Sequence, residues 1–131
     1  MSKANIHVVK DGFEQFFAGD IPGFLKFLSD DVCWDHRGPE VVPFNRLYRG
    51  RANVVEFFKV LRETQEASIF EPRDFFAAED RVVCLGFFRY KVHATKKRES
   101  DFAIVFTVQN EKISHWRLLF DMAAEAAAFQ A

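Results

Sequence analysis

Trp34 and His36 alternate with Cys33, Asp35 and Arg37 in the stretch Asp30-Asp31-Val32-Cys33-Trp34-Asp35-His36-Arg37-Gly38-Pro39. A period of two is strand spacing, so Trp34 and His36 share one face of a strand. An imidazole on such a face titrates near neutral pH and can act as general base or general acid. A His at a strand end can equally be held by a hydrogen bond to the loop that follows. Asp101 is the second candidate. A buried carboxylate is costly without a partner, so it needs Arg89, Lys91 or His36 beside it. An Arg89–Asp101 ion pair that only ties two strands together fits the same residues, and so does exposure of Asp101 near a hairpin. Arg89 suits a carboxylate or enolate ligand through bidentate donation, and suits a strand salt bridge just as well.

The elements that must position these groups are legible from spacing. Ile6, Val9, Phe13, Phe16 and Phe17 recur at helical intervals, so the first helix runs to about Phe17 and stops at Gly19. Asp20 caps a short second helix with Pro22 in its first turn and Phe24, Leu25 and Leu28 facing inward. Asp30-Asp31 is expected to end that helix before the strand that carries Trp34 and His36. Residues 38–50, with Pro39, Pro43 and two glycines, read as a loop whose Phe44 and Tyr48 can fold over a pocket mouth. A third helix spans about 51–66, with Val54, Phe57, Phe58 and Leu61 on one stripe. Four strands follow at 69–77, 81–93, 100–108 and 112–120, with polar separators suited to hairpin turns. Asp121 then caps an Ala-rich helix, a role that argues against catalysis by that carboxylate. Helices followed by strands argue α+β, and no linker or repeat divides the single domain expected over residues 1–131.

The apolar residues that would enclose a ligand are Trp34, Phe57, Trp116, Leu118 and Phe120, all of which ordinary core packing explains equally well. The chain has 17 Phe against 2 Met and 2 Trp among 131 residues, so Phe dominates either a core or an aromatic-walled cavity for a flat or greasy ligand. A net charge of -1, with Lys96-Lys97-Arg98 as the one basic run, leaves no footprint for nucleic acid. Cys33 and Cys84 lie in apolar strand-like segments and read as free, buried thiols of a reducing compartment. Met1-Ser2-Lys3-Ala4-Asn5 lacks a secretory core and no apolar run is long enough to span a bilayer, so a cytoplasmic protein without a membrane partner is expected. His7, His36, His93 and His115 show no metal-ligand spacing. There is no phosphate loop, GxSxG or CxxC motif, so neither metal nor cofactor is expected.

This order of elements, with Ala18-Gly19-Asp20, the Asp-Asp turn, Gly38-Pro39, Tyr48-Arg49-Gly50 and Trp116-Arg117-Leu118-Leu119-Phe120-Asp121, resembles the SnoaL-like branch of the nuclear-transport-factor-2-like superfamily over essentially the whole chain. The resemblance implies a cone-shaped, curved mixed β-sheet wrapped around the N-terminal helices, a cystatin-like α+β roll with a pocket between sheet and helices. It also implies a homodimer through the sheet's outer face, for which Phe88 and Tyr90 are read as outward-facing apolar residues. The fold hosts isomerases, epoxide hydrolases, polyketide cyclases, dehydratases and binding modules, so function rests on individual positions.

In the ketosteroid isomerases a carboxylate base lies on the first strand, and the position here that matches best is His36. Their oxyanion donors align with Gly12 and Ala103, so both donors are missing, each worth roughly 3 to 4 kcal/mol. The Arg and two Asp of the limonene-epoxide-hydrolase pattern align with Arg89, Lys91 and Leu118, so that site is incomplete too. The polyketide cyclases need a pocket acid, for which the alignment offers Asp101, turned inward with Ala103 and Val105, or His36. Two readings follow. One is a cofactor-independent isomerase, cyclase or dehydratase acting by proton transfer on a small, mostly apolar carbonyl or cyclic substrate. The other is a non-catalytic module that binds a small apolar or aromatic ligand or pairs with its own copy.

Overall fold

A computed structural model describes residues 2–130. The chain runs α1 (Ser2–Phe17), α2 (Ile21–Leu25), β1 (Leu28–His36), β2 (Arg46–Arg49), α3 (Arg51–Thr64), β3 (Gln65–Ala78), β4 (Arg81–Val92), β5 (Lys96–Gln109), β6 (Lys112–Leu119) and α4 (Met122–Gln130). The strands form one sheet in the order β2-β1-β6-β5-β4-β3. β1 and β6 are parallel and every other neighbouring pair is antiparallel, so the sheet is mixed. It is curved and does not close, which is the α+β architecture expected.

The curvature has local causes. Pairing register shifts between Ala67 and Ile69 and between Pro72 and Asp74 on β3, at Ser114 on β6 opposite Thr107 and Val108, and between Leu28 and Cys33 on β1. Each extra residue bends its strand and increases its twist. Gly86 on β4 permits the sharpest approach, since a Cβ there would collide with the Glu71 carbonyl and the Phe102 ring. Tight turns keep the long strands in register. Asn110 and Glu111 both take positive φ, 53° and 62°, as a two-residue hairpin turn requires.

Alternation along the strands sends one set of side chains inside. On β4 these are Val82, Cys84, Phe88, Tyr90 and Val92, and on β5 Phe102, Ile104, Phe106 and Val108. The helices close over that face. α1 contributes Val9 and Phe13, and Phe13 meets Phe70, Phe75 and Phe106 at ring separations of 5.9–6.1 Å. α2 is capped as expected, with Asp20 Oδ1 accepting from Gly23 N at 2.9 Å. α3 buries Val54 and Phe57, and its first residue, Arg51, ties it to β1 through the Leu28 carbonyl and Asp30.

Four expectations need correction. α2 ends at Leu25 rather than Leu28, and Asp30-Asp31 lies inside β1 instead of terminating a helix. The cause is pairing across the chain: Ile113 N donates to Phe27 O at 2.7 Å, and Leu28 takes its place beside Ile113. Residues 46–49 form β2 within the stretch read as loop, because they pair antiparallel with residues 33–36. Phe88 and Tyr90 point inward, 8% and 1% exposed, since their parity on β4 is that of the buried set. The outer face instead carries Leu85, Leu119 and Phe76, at 40%, 42% and 58% exposure. Both cysteines are free, Cys33 half-buried and Cys84 fully buried, with burial pushing the Cys84 thiol up to about 12. Among the described residues no helix is long and apolar enough to cross a membrane.

Candidate functional site

His36 ends β1 on the inner face and is 3% exposed. Its neighbour Asn45, at the start of the return into β2, fixes its tautomer. Asn45 Nδ2 donates to Pro39 O at 3.1 Å, which turns Oδ1 toward His36 Nδ1 at 2.9 Å. An amide oxygen only accepts, so Nδ1 carries the hydrogen and Nε2 keeps a lone pair. Burial holds His36 below its ordinary pKa, against the opposing effects of the Asn45 hydrogen bond and the Asp35 charge. The imidazole is therefore neutral at pH 7, with Nε2 able to accept a proton.

Aromatic rings surround it. Phe57 of α3 lies 5.0 Å from the imidazole, Phe44 5.4 Å, Trp116 of β6 5.7 Å and nearly parallel, and Phe120 6.4 Å. Trp34 stacks on Trp116 at 4.0 Å and 4°, because the two are direct partners across the parallel β1–β6 pair. Tyr48 of β2 packs on Phe57 at 5.2 Å while its hydroxyl donates to Phe44 O at 2.7 Å, pinning the loop that covers His36. Trp34 Nε1 is buried without a hydrogen-bond acceptor, an unusual state for an indole in a folded core.

Sequence-expected residues thus fall into two groups. Trp34, His36, Phe44, Tyr48, Phe57, Trp116 and Phe120 come together, and Leu118 joins the inner face opposite Ile104. Asp101 and Arg89 do not. Asp101 is exposed on the outer face, because Phe102, Ile104 and Phe106 take the inner parity of β5; the inward turn expected of it with Ala103 and Val105 is reversed. Arg89 is on the outer face of β4, where its Nε donates to Glu99 Oε1 at 3.2 Å, so its partner is Glu99 rather than Asp101. Two surface grooves, of about 440 and 460 Å³, lie at the α2 and β5–β6 turns and at the β3–β4 hairpin, away from His36. The ring cluster around His36 is closed.

Two buried acidic groups escaped the sequence reading. Asp35, 3% exposed, points to the outer face and accepts from Arg37 Nε and NH2 at 3.0 and 2.9 Å, with Arg117 NH1 at 3.4 Å. The Arg37 hydrogen bonds hold its carboxyl down at about 2, so it is a structural ion pair. Glu125 of α4, 1% exposed, faces inward beside Gln65 and Tyr90, and burial lifts its carboxyl to about 7. Its signal in the sequence is slight: one acid in the otherwise uncharged Met-Ala-Ala-Glu-Ala-Ala-Ala-Phe-Gln. Among the described residues no group of three or more His, Cys, Asp or Glu gathers as a metal site would need.

With this geometry in place, the profile of the SnoaL-like domain matches residues 9–116. The chain belongs to the SnoaL-like family. Solved structures extend the likeness to the SnoaL-like chain's whole length. An NTF2-like protein of Burkholderia xenovorans is 30% identical with a TM-score of 0.88, over 98% of each chain. TerC, co-crystallized with polyporic acid, is 24% identical with a TM-score of 0.80, over 98% of this chain and 99% of its own. A candidate polyketide cyclase of Xanthomonas campestris pv. campestris is 20% identical with a TM-score of 0.76, over 98% of each. The last two identities speak to fold alone. No curated protein matches the sequence.

Proposed function

We propose that this SnoaL-like chain is a cofactor-independent enzyme of the isomerase, cyclase or dehydratase kind, moving a proton on a small, mostly apolar carbonyl or cyclic substrate. The observation that carries the reading is His36: buried, neutral, fixed by Asn45 and left with Nε2 as a base among aromatic rings. In the step we envisage, Nε2 takes a proton from carbon next to a carbonyl, leaving an enolate and an imidazolium. The imidazolium then returns that proton to the same or another carbon, or to a departing oxygen. Surrounding rings exclude water, which keeps the base poised and protects the enolate. The unpaired Trp34 N–H is a donor that a bound oxygen would satisfy. Two fold relatives, a candidate polyketide cyclase and TerC co-crystallized with polyporic acid, support a small organic ligand.

Asp101 and Arg89 have no part in this reading, because they stand on the far face of the sheet. A homodimer through that face accompanies the proposal, supported by the row of Phe76, Leu85 and Leu119; sedimentation equilibrium reads it.

The test couples binding to exchange. A thermal-shift screen of steroids, aromatic polyketides, phenolates and cyclic ketones selects ligands, a bound one at a hundred times its Kd adding about 2.7 kcal/mol. Each hit is then incubated in deuterated water and its carbon-bound hydrogens followed by NMR. The wild type converts the ligand or exchanges its carbon-bound hydrogens, His36→Ala does neither, and Asp101→Asn with Arg89→Ala behaves as wild type. Ligands that bind the wild type with neither exchange nor conversion to a product sink the enzyme reading in favour of a binding module. That second reading has its own support in the closed packing around His36, 3% exposed.

A further inference from the structure

The closed ring cluster around His36 needs a way to admit a ligand, and α4 lies where an opening would be. Met122, at its start, packs on Gly38: a Cβ on that glycine would fall 2.9 Å from the Met122 sulfur and 2.7 Å from Asn45 Nδ2. At its end, Phe129 meets Phe44 edge-on at 5.9 Å and His93 at 5.7 Å. Phe44 and Asn45 are the residues that cover and orient His36. On the opposite side, β5 reaches across to carbonyls of the helix. Lys96 Nζ donates to Ala128 O at 3.2 Å and Arg98 Nε to Ala124 O at 3.4 Å. α4 therefore bridges the His36 loop and the β4–β5 hairpin. Its inward surface is otherwise alanine, Ala126 and Ala128, which bury little apolar area and hold the helix weakly.

Glu125 stands at the centre of that surface, on the same helical face as Phe129 four residues on. Glu125 Oε1 and Gln65 Oε1 are both buried and neither has a donor. An ionised carboxylate would leave Glu125 Oε1 as a buried, unsatisfied charge, and a carboxyl proton on Glu125 removes that charge. We propose that α4 is a lid over the His36 chamber and that Glu125 is its lock, closed while the carboxyl holds a proton and released when it ionises. This deepens the proton-transfer reading by assigning regulation to the same site.

The groups around Glu125 agree with this assignment. Gln65 of β3 is its hydrogen-bonding neighbour and offsets the burial effect only in part. Tyr90 of β4 faces it, with Arg98 and Asp121 near the same phenol, and burial keeps that phenol protonated. The basic heads of Lys96 and Arg98 are engaged by helix carbonyls, and neither pairs with the carboxylate. Closed, Glu125 sits at about 7 against an ordinary 4.5. A raised carboxyl stabilises the closed lid fully below the ordinary value, loses that support as pH climbs toward 7, and levels off above it.

Hydrogen exchange on the full chain between pH 5 and 8, corrected for the intrinsic rate, tests the lid without any ligand. In the wild type, protection of amides 126–130 falls up to tenfold per pH unit from 5 to 7 and then flattens. Glu125→Gln, whose amide carries a permanent donor, keeps protection level across the range. Phe129→Ala lowers protection at every pH and keeps the wild-type slope, which separates the lid from its lock. Should Glu125→Gln fail to fold, Glu125→Met replaces it with the same level profile expected. The proposal is overturned if Glu125→Gln keeps the wild-type slope, or if these amides exchange only as slowly as the core amides of β5, by global unfolding. Failure here leaves the deuterium result on His36 standing, and failure there leaves the lid standing.

Discussion

Asp35 and His36 are adjacent on β1, equally buried at 3% exposure, and opposite in every electrostatic respect. Asp35 turns to the outer face, where Arg37 and Arg117 keep it ionised. His36 turns to the inner face, where rings and one neutral amide keep it uncharged. Depth alone does not set a protonation state; the partners that the pleat delivers do. The inner face is a buried cluster of aromatic rings in mutual contact. The outer face is a screened, half-wet surface of ion pairs and scattered apolar side chains.

The comparison breaks most visibly at β6. Trp116→Ala removes an indole that is stacked at 4.0 Å on Trp34, and should cost about 3–5 kcal/mol in denaturant unfolding. Leu119→Ala on the same strand, 42% exposed, should cost less than about 1 kcal/mol. Equal losses would mean the inner cluster is loosely packed.

Acid sharpens it next. Asp35 is held at about 2 against an ordinary 3.8, so the fold binds fewer protons than the unfolded chain between those values. Its stabilisation is present above pH 3.8 and is lost as pH falls through 2. Both arginines are more than half exposed and solvent-screened, so the loss is at most about 2 kcal/mol. Asp35→Asn should abolish that part of the acid profile, measured by urea midpoints from pH 5 to 2; an unchanged profile would discount the ion pair.

The smallest stability effect belongs to the outer face. Leu85→Lys should change the unfolding midpoint by no more than about 0.5 kcal/mol. The same substitution should shift sedimentation from dimer to monomer if that face pairs two copies. A monomeric wild type removes the pairing.

Much of this was readable in the chain because it is local. Asp20 capping α2, Asp121 accepting from Ala124 N at 3.1 Å and the Asn110-Glu111 turn are contacts within four residues, which residue type and spacing specify. The alternation that placed Trp34 and His36 together is local as well, and the SnoaL-like order of elements followed from the same punctuation. What alternation cannot say is which of two faces becomes the inside. For β1 the Trp made that choice plain, but on β4 and β5 apolar residues occupy both parities, and Asp101, Arg89, Phe88 and Tyr90 were assigned to the wrong sides.

Only tertiary pairing decided those faces. β6 lies beside β1 although about eighty residues separate Asp35 from Arg117, and that contact turned Leu28–Asp31 from helix into strand and stacked Trp34 on Trp116. α4 came to rest over the His36 loop through Met122, Phe129 and two basic side chains from β5, none of them near it in sequence except through the fold. The sequence by itself determined the helices and every strand but β2, with most ends within a few residues, because backbone propensity and capping act over one turn. The tertiary structure decided which acids are buried, which stay charged and what covers His36, because desolvation and pairing depend on neighbours that only the closed sheet brings together.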